Sequence, residues 1–130
     1  MDIVRRAAIA AAVAFALNAL VRIAVKAFVD VPEAFDPFTW GPIFWASVIG
    51  VTGGAVVYAA LRRFLGARAD TVFRWVAYSL MVVSFITPVT LLWSTPPQYP
   101  GTTLLTVTAL EVMHLTTAVA TVVALTHGRG

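Results

Sequence analysis

The sequence predicts an all-α protein, a bundle of four transmembrane helices with both termini in the cytoplasm. Three observations carry that reading. Of 130 residues, 60% are hydrophobic and 12% are charged, about half the charge of an ordinary soluble domain, so there is more apolar surface than a core of this size can bury. The apolar residues fall into four runs, each near the ~20 residues that a helix needs to cross a bilayer. The Lys and Arg residues collect at the ends of those runs, mostly on one side.

The first span covers roughly 5–28, RRAAIAAAVAFALNALVRIAVKAF. Arg5 and Arg6 ahead of an apolar run resemble the start of a signal peptide, but the run continues through Arg22 and Lys26 and offers no small-residue cleavage site, so the span is expected to be retained. Ala7, Ala11, Ala14 and Asn18 are spaced to share one face. An acidic loop with Pro32 and Pro37 follows over 29–39.

The second span covers roughly 40–61. Ala46, Gly50 and Gly54 recur every fourth residue and form a small-residue groove, with one GxxxG, where another backbone can approach. That groove serves either packing inside the bundle or a dimer seam. A basic turn, RRFLGARAD, fills 62–70. The third span covers roughly 72–93. Pro88 removes a backbone donor and frees the carbonyl of Ser84, which predicts a kink; Ser84 and Thr87 supply hydroxyls for the freed groups. The bend is either structural or shapes a cavity in the outer half of the bundle. The proline-rich stretch 94–101, STPPQYPG, reads as a rigid turn, and the fourth span covers roughly 103–126. Trp40, Trp45, Trp75, Trp93, Tyr78 and Tyr99 fall mostly near span ends, as an aromatic belt does.

Orientation follows from the positive-inside rule. Arg5, Arg6, Arg62, Arg63, Arg68, Arg74 and Arg129 lie on the side of the termini, against Arg22 and Lys26 on the other, which places both termini in the cytoplasm and the chain in the cell membrane. The same positions explain the net charge of +3 without nucleic acid.

The polar residues within the spans are the candidates for function, because ionisable groups inside a bilayer are costly. Glu111 lies about 12 Å into the fourth span at ~1.5 Å per residue, and His114 is one turn deeper. In the first span, which runs the other way, Arg22 matches Glu111 in depth and Asn18 matches His114. These pairings predict that the first and fourth helices are neighbours, joined by Arg22–Glu111 and Asn18–His114 contacts in a polar ladder that Thr117 and Thr121 prolong. The ladder is either structural glue, or a site where Glu111 and His114 exchange protons or bind a ligand. With no cysteine and only His114 and His127 as histidines, thiolate zinc, iron–sulfur and disulfide-relay chemistry are excluded. The lone E-x-x-H lacks the second copy and further carboxylates of di-iron bundles. No cofactor or metal is expected.

Several short motifs carry a resemblance: Asn18 in an alanine-rich first helix, Gly41-Pro42 before the second span, the R-R-F turn at 62–64, Ser84 to Pro88 in the third span and Met113-His114 in the fourth. Over nearly the whole chain the sequence resembles the domain-of-unknown-function 6069 family of small prokaryotic four-helix membrane proteins. The resemblance implies a four-pass bundle and no particular activity. Small multidrug-resistance transporters are of similar length but carry their membrane glutamate in the first helix. The expected function is a non-enzymatic accessory or interaction module in the lipid bilayer, alone, as a homodimer or within a larger membrane complex. The alternative is a small proton-linked transporter or ligand-binding membrane protein that uses Glu111 and His114.

Overall fold

The structure, a computed structural model, describes residues 1–94 and 99–127. Among them every regular element is helical: α1 (Ile3–Phe28), α2 (Trp40–Leu65), α3 (Ala69–Ser84), α4 (Ile86–Thr90) and α5 (Leu104–Thr126), with single 3-10 turns at Asp36–Phe38, Gly66–Arg68 and Leu91–Trp93. Of the rigid turn expected at 94–101, residues 95–98 lie outside the described residues. Both long terminal helices begin with a side-chain cap. Asp2 accepts the Arg5 N–H at 2.7 Å, and Thr103 with Thr106 forms a reciprocal capping box, which satisfies donors that a helix start otherwise leaves open.

Among the described residues, three helical stretches are long and apolar enough to cross a membrane: Ile3–Phe28, Trp40–Trp93 and Leu104–Thr126. The sequence predicts four. The expected second and third spans, roughly 40–61 and 72–93, both fall within the one helical stretch Trp40–Trp93, and the third does not form one unbroken helix. α3 has 16 residues, short of the ~20 that a crossing takes. It ends at Ser84, where Pro88 has no N–H to give the Ser84 carbonyl, and the chain resumes as the five-residue α4. The stretch Trp40–Trp93 is not straight. It turns at Gly66, whose φ of 54° is open to glycine at little cost, and α3 packs back against α2.

The outer surface is unusually apolar, and several polar side chains are buried within a mainly apolar interior. Asn18, Ser47, Thr106 and Thr121 are buried, while Leu20, Ile49, Val82, Val83 and Leu104 are exposed. Apolar surface outward and polar groups inward is what lipid demands of a helical bundle. α5 is the central element, touching α1, α2, α3 and α4, and its contact with α1 is the most extensive. The first and last long helices are therefore neighbours, as their matched polar depths predict.

Two faces differ from expectation in detail. The buried stripe of α1 is Arg6, Ala10, Ala14 and Asn18, strictly every fourth residue; Ala7 and Ala11 are half-buried beside it. The buried stripe of α2 is Ile43, Ser47, Val51, Ala55 and Tyr58, one position round from Ala46, Gly50 and Gly54. Every-fourth ridges let two helices interdigitate closely, and α1 and α2 pack on each other.

The two ends of the bundle are closed differently. At the 29–39 end, the loop folds inward: Val31, Phe35 and Phe38 are buried with Ile43, Leu110 and Met113. Gly101 fastens this end. Its φ is 86° and an added Cβ would stand 2.6 Å from Pro32 Cδ, so a side chain is excluded by both conformation and space. At the other end, Tyr58 and Phe73 pack with rings 5.0 Å apart, and the Tyr58 hydroxyl donates to Asp70 at 2.7 Å.

Candidate functional site

Asn18 is the hub of the α1–α2–α5 packing. Its amide nitrogen donates to Ser47 Oγ and to Thr117 Oγ1, each at 3.0 Å, and its oxygen accepts from the Thr116 hydroxyl. Ser47 in turn donates to the Ile43 carbonyl at 2.8 Å, and Thr117 to that of Met113 at 2.9 Å. One buried amide thus ties three helices together with both its donors and its acceptor used. The expected Asn18–His114 contact is not made, because the threonines one turn along α5 occupy the amide instead.

The Arg22–Glu111 pair is not made either. Arg22 Nε donates to the carbonyl of Phe38 at 2.7 Å, and its guanidinium carbon lies 4.1 Å from the centre of the Trp40 ring. The folded-in loop offers Arg22 a backbone acceptor and the start of α2 an aromatic face, and these hold its guanidinium. Both carboxyl oxygens of Glu111 are enclosed without a hydrogen-bond partner among the described residues. Lys26 and Glu33, between the end of α1 and the loop, do form an ion pair.

His114 sits elsewhere. Its Nδ1 lies 2.8 Å from Ser84 Oγ, at the point where α3 breaks. Ser84 Oγ also donates to the Met81 carbonyl at 2.6 Å. The Phe85 ring stands 6.4 Å from the imidazole. Both His114 and Ser84 line a partly open cavity of about 860 Å³ between α2 and the α3–α4–α5 side of the bundle. Its walls are mostly apolar, with Ile49, Gly53, Leu80, Met81 and Leu110 among them. Pro88 is buried in the same wall. Glu111 does not line this space.

The small-residue stripe of α2 meets α5 and borders the cavity. A Cβ on Gly54 would stand 2.7 Å from Thr121 Cγ2, and one on Gly50 would stand 3.2 Å from Thr117 Cγ2. Gly53, one position round, has nothing within 4 Å. Gly50 and Gly54 therefore admit the threonine methyls of α5, which is packing inside the bundle.

Arg6 was legible in the sequence only as a topology signal, yet it is a packed residue. Its Nη1 donates to the carbonyls of Leu125 and His127 at 3.3 and 3.0 Å, placing a cation on the open carbonyls at the C-terminal end of α5. Arg74 adds two 3.3 Å bonds to Thr126 Oγ1. The signal available for Arg6 was its place on the every-fourth stripe that ends at Asn18. Among the described residues, no group of three or more His, Asp or Glu side chains lies close enough to hold a metal ion.

A family of unknown function (DUF6069) matches residues 2–130, and the chain belongs to that family. No curated protein and no solved structure matches it.

Proposed function

We propose that this family member is an integral protein of the cytoplasmic membrane that crosses it four times, with both termini inside, and that it holds an apolar small molecule in the cavity beside His114. The broken stretch from Ala69 to Trp93 exceeds the ~20 residues of a crossing, so α3 and α4 together serve as the third of four spans. Arg5, Arg6, Arg62, Arg63 and Arg68 lie at the end that carries the Gly66 turn, and Asp30, Glu33 and Asp36 at the other, which supports the orientation.

The observation that carries the ligand is the cavity itself. At about 860 Å³ it falls within the ~300–1,000 Å³ of small-molecule sites, and it has their composition, an apolar wall with a few polar groups. Its polar group of interest is His114. Asn18 also reaches the wall, but with its hydrogen bonds already made. The protein is then a ligand-binding or transport module rather than an accessory protein that takes no ligand.

Photolabelling in nanodiscs with a diazirine-bearing alkane, mapped by peptide mass spectrometry, tests this reading. The expected result is saturable labelling around residues 80–84 and 110–114 that Gly53→Trp removes, since Gly53 opens onto the cavity. Labelling that rises linearly with probe and ignores Gly53→Trp would describe a lipid-facing surface, and would return the protein to the accessory reading.

A further inference from the structure

We infer that the ligand of this cavity carries a hydroxyl on a hydrocarbon body, and that His114 Nε2 accepts a hydrogen bond from that hydroxyl. The inference rests on the cavity being a ligand site and names the chemistry that the site selects.

The Met81 carbonyl can only accept, so the 2.6 Å contact from Ser84 Oγ uses the one proton that Ser84 owns. Ser84 Oγ must then act as acceptor toward His114, 2.8 Å away. The donor is the Nδ1–H, which fixes the tautomer of the ring. In the neutral imidazole that leaves Nε2 with a lone pair and no proton. Nε2 has no hydrogen-bond partner among the described residues and is not enclosed by them. His114 lines the apolar cavity, and we place Nε2, a preset acceptor, toward that space.

The other inward polar groups do not duplicate it. Asn18 has both donors and its acceptor engaged. Thr117 donates to Met113, Thr121 to the Thr117 carbonyl, and Thr90 to the Thr87 carbonyl. Thr87 and Tyr99 present hydroxyls, which rotate to give or take a proton and so do not discriminate. The imidazole nitrogen does discriminate, because its bond to Ser84 holds it in one role. An alcohol or a hydroquinone satisfies it. A methyl ether or a ketone of the same shape leaves a nitrogen unpaired beside a desolvated oxygen, the situation in which a site rejects an analogue most strongly.

Matched ligand pairs test this. Equilibrium binding to the purified full-length protein in nanodiscs is measured for farnesol against farnesyl methyl ether, and for a prenylated hydroquinone against its dimethyl ether. The hydroxyl member of at least one pair is expected to bind about tenfold more tightly, and which pair discriminates tells an aliphatic from an aromatic head. Ser84→Ala, which frees the tautomer, is expected to shrink the ratio toward one while both members still bind. In parallel, the 15N spectrum of His114 in the wild type should show a protonated Nδ1 and a bare Nε2. Equal binding within both pairs, or a protonated Nε2, overturns the hydroxyl assignment and leaves the cavity reading standing. Failure of every compound to bind, or binding that Gly53→Trp does not weaken, overturns the cavity reading as well.

Discussion

The α1–α2–α5 side of the bundle and its α3–α4 side solve the same problem in opposite ways. Each buries polar groups in a protein whose outer surface is apolar. On the first side the groups are closed on one another: Asn18, Ser47, Thr116 and Thr117 form one network, and α1 runs 26 residues without a break. On the second side α3 stops after 16 residues, Ser84 takes His114, and the imidazole, which lines a cavity, keeps one nitrogen without a partner among the described residues. A satisfied network in a membrane holds helices together. An unsatisfied one beside empty space is a place to put a ligand. Polarity at depth does not by itself separate structure from function; what separates them is whether the partners are already present.

Substitutions that break this contrast should act most strongly on the closed side. Asn18→Leu removes three hydrogen bonds and leaves Ser47 and Thr117 short of a partner. At the modest value of each polar contact in membranes, about 2 kcal/mol should be lost, read as the equilibrium of unfolding in mixed micelles. His114→Phe on the open side should change that equilibrium by much less and should act on ligand binding instead.

The glycines of α2 sharpen the comparison within one helix. Gly54→Leu forces a side chain into the 2.7 Å approach to Thr121 and should cost about 1–3 kcal/mol by overpacking. Gly53→Leu points into open space and should leave stability near that of the wild type, helped by helix propensity, while reducing binding in the cavity. If both substitutions destabilise equally, the cavity closes in lipid and the two sides are not different.

A double-mutant cycle on Arg22→Gln and Glu111→Gln should return a coupling below about 0.5 kcal/mol, the scatter of independent sites, because Arg22 is held by the Phe38 carbonyl and Trp40. A coupling well above that would restore the ion pair the sequence suggests. The smallest effect belongs to the exposed Lys26–Glu33 pair. Lys26, by hydrogen bond and charge, holds the Glu33 carboxyl below its ordinary 4.5. A depressed carboxyl contributes stability above its unfolded value and loses it as pH falls through its folded one. Lys26→Met should therefore move the Glu33 titration back up in carboxyl NMR, with no measurable change in stability at neutral pH.

Much of the fold was legible because hydropathy and depth are one-dimensional. The spans at α1 and α5, their adjacency and the buried place of Asn18 follow from counting residues along an axis, and the bend ahead of Pro88 from the N–H that proline lacks. The rotation of each helix about its axis was not legible at the same resolution. Asn18 and His114 share a depth, but Asn18 faces Thr116 and Thr117, while His114 faces Ser84 across a different gap. Arg22 was lost to a backbone carbonyl, which no side-chain pattern announces, in a loop that folds inward on Phe35 and Phe38. Ser84 was read as a helper of the Pro88 break, and its role toward His114 required knowing which helix lies opposite. The count of crossing helices differs for another reason: the loop expected between the second and third spans is itself helical at Gly66–Arg68, so Trp40–Trp93 runs as one helical stretch.

The central claim is that the space beside His114 is a ligand site. Native mass spectrometry of the protein released from nanodiscs addresses it most directly. One apolar molecule per chain should be retained by the wild type and lost from Gly53→Trp. A wild-type chain that flies bare, or a molecule retained equally by both proteins, would contradict it.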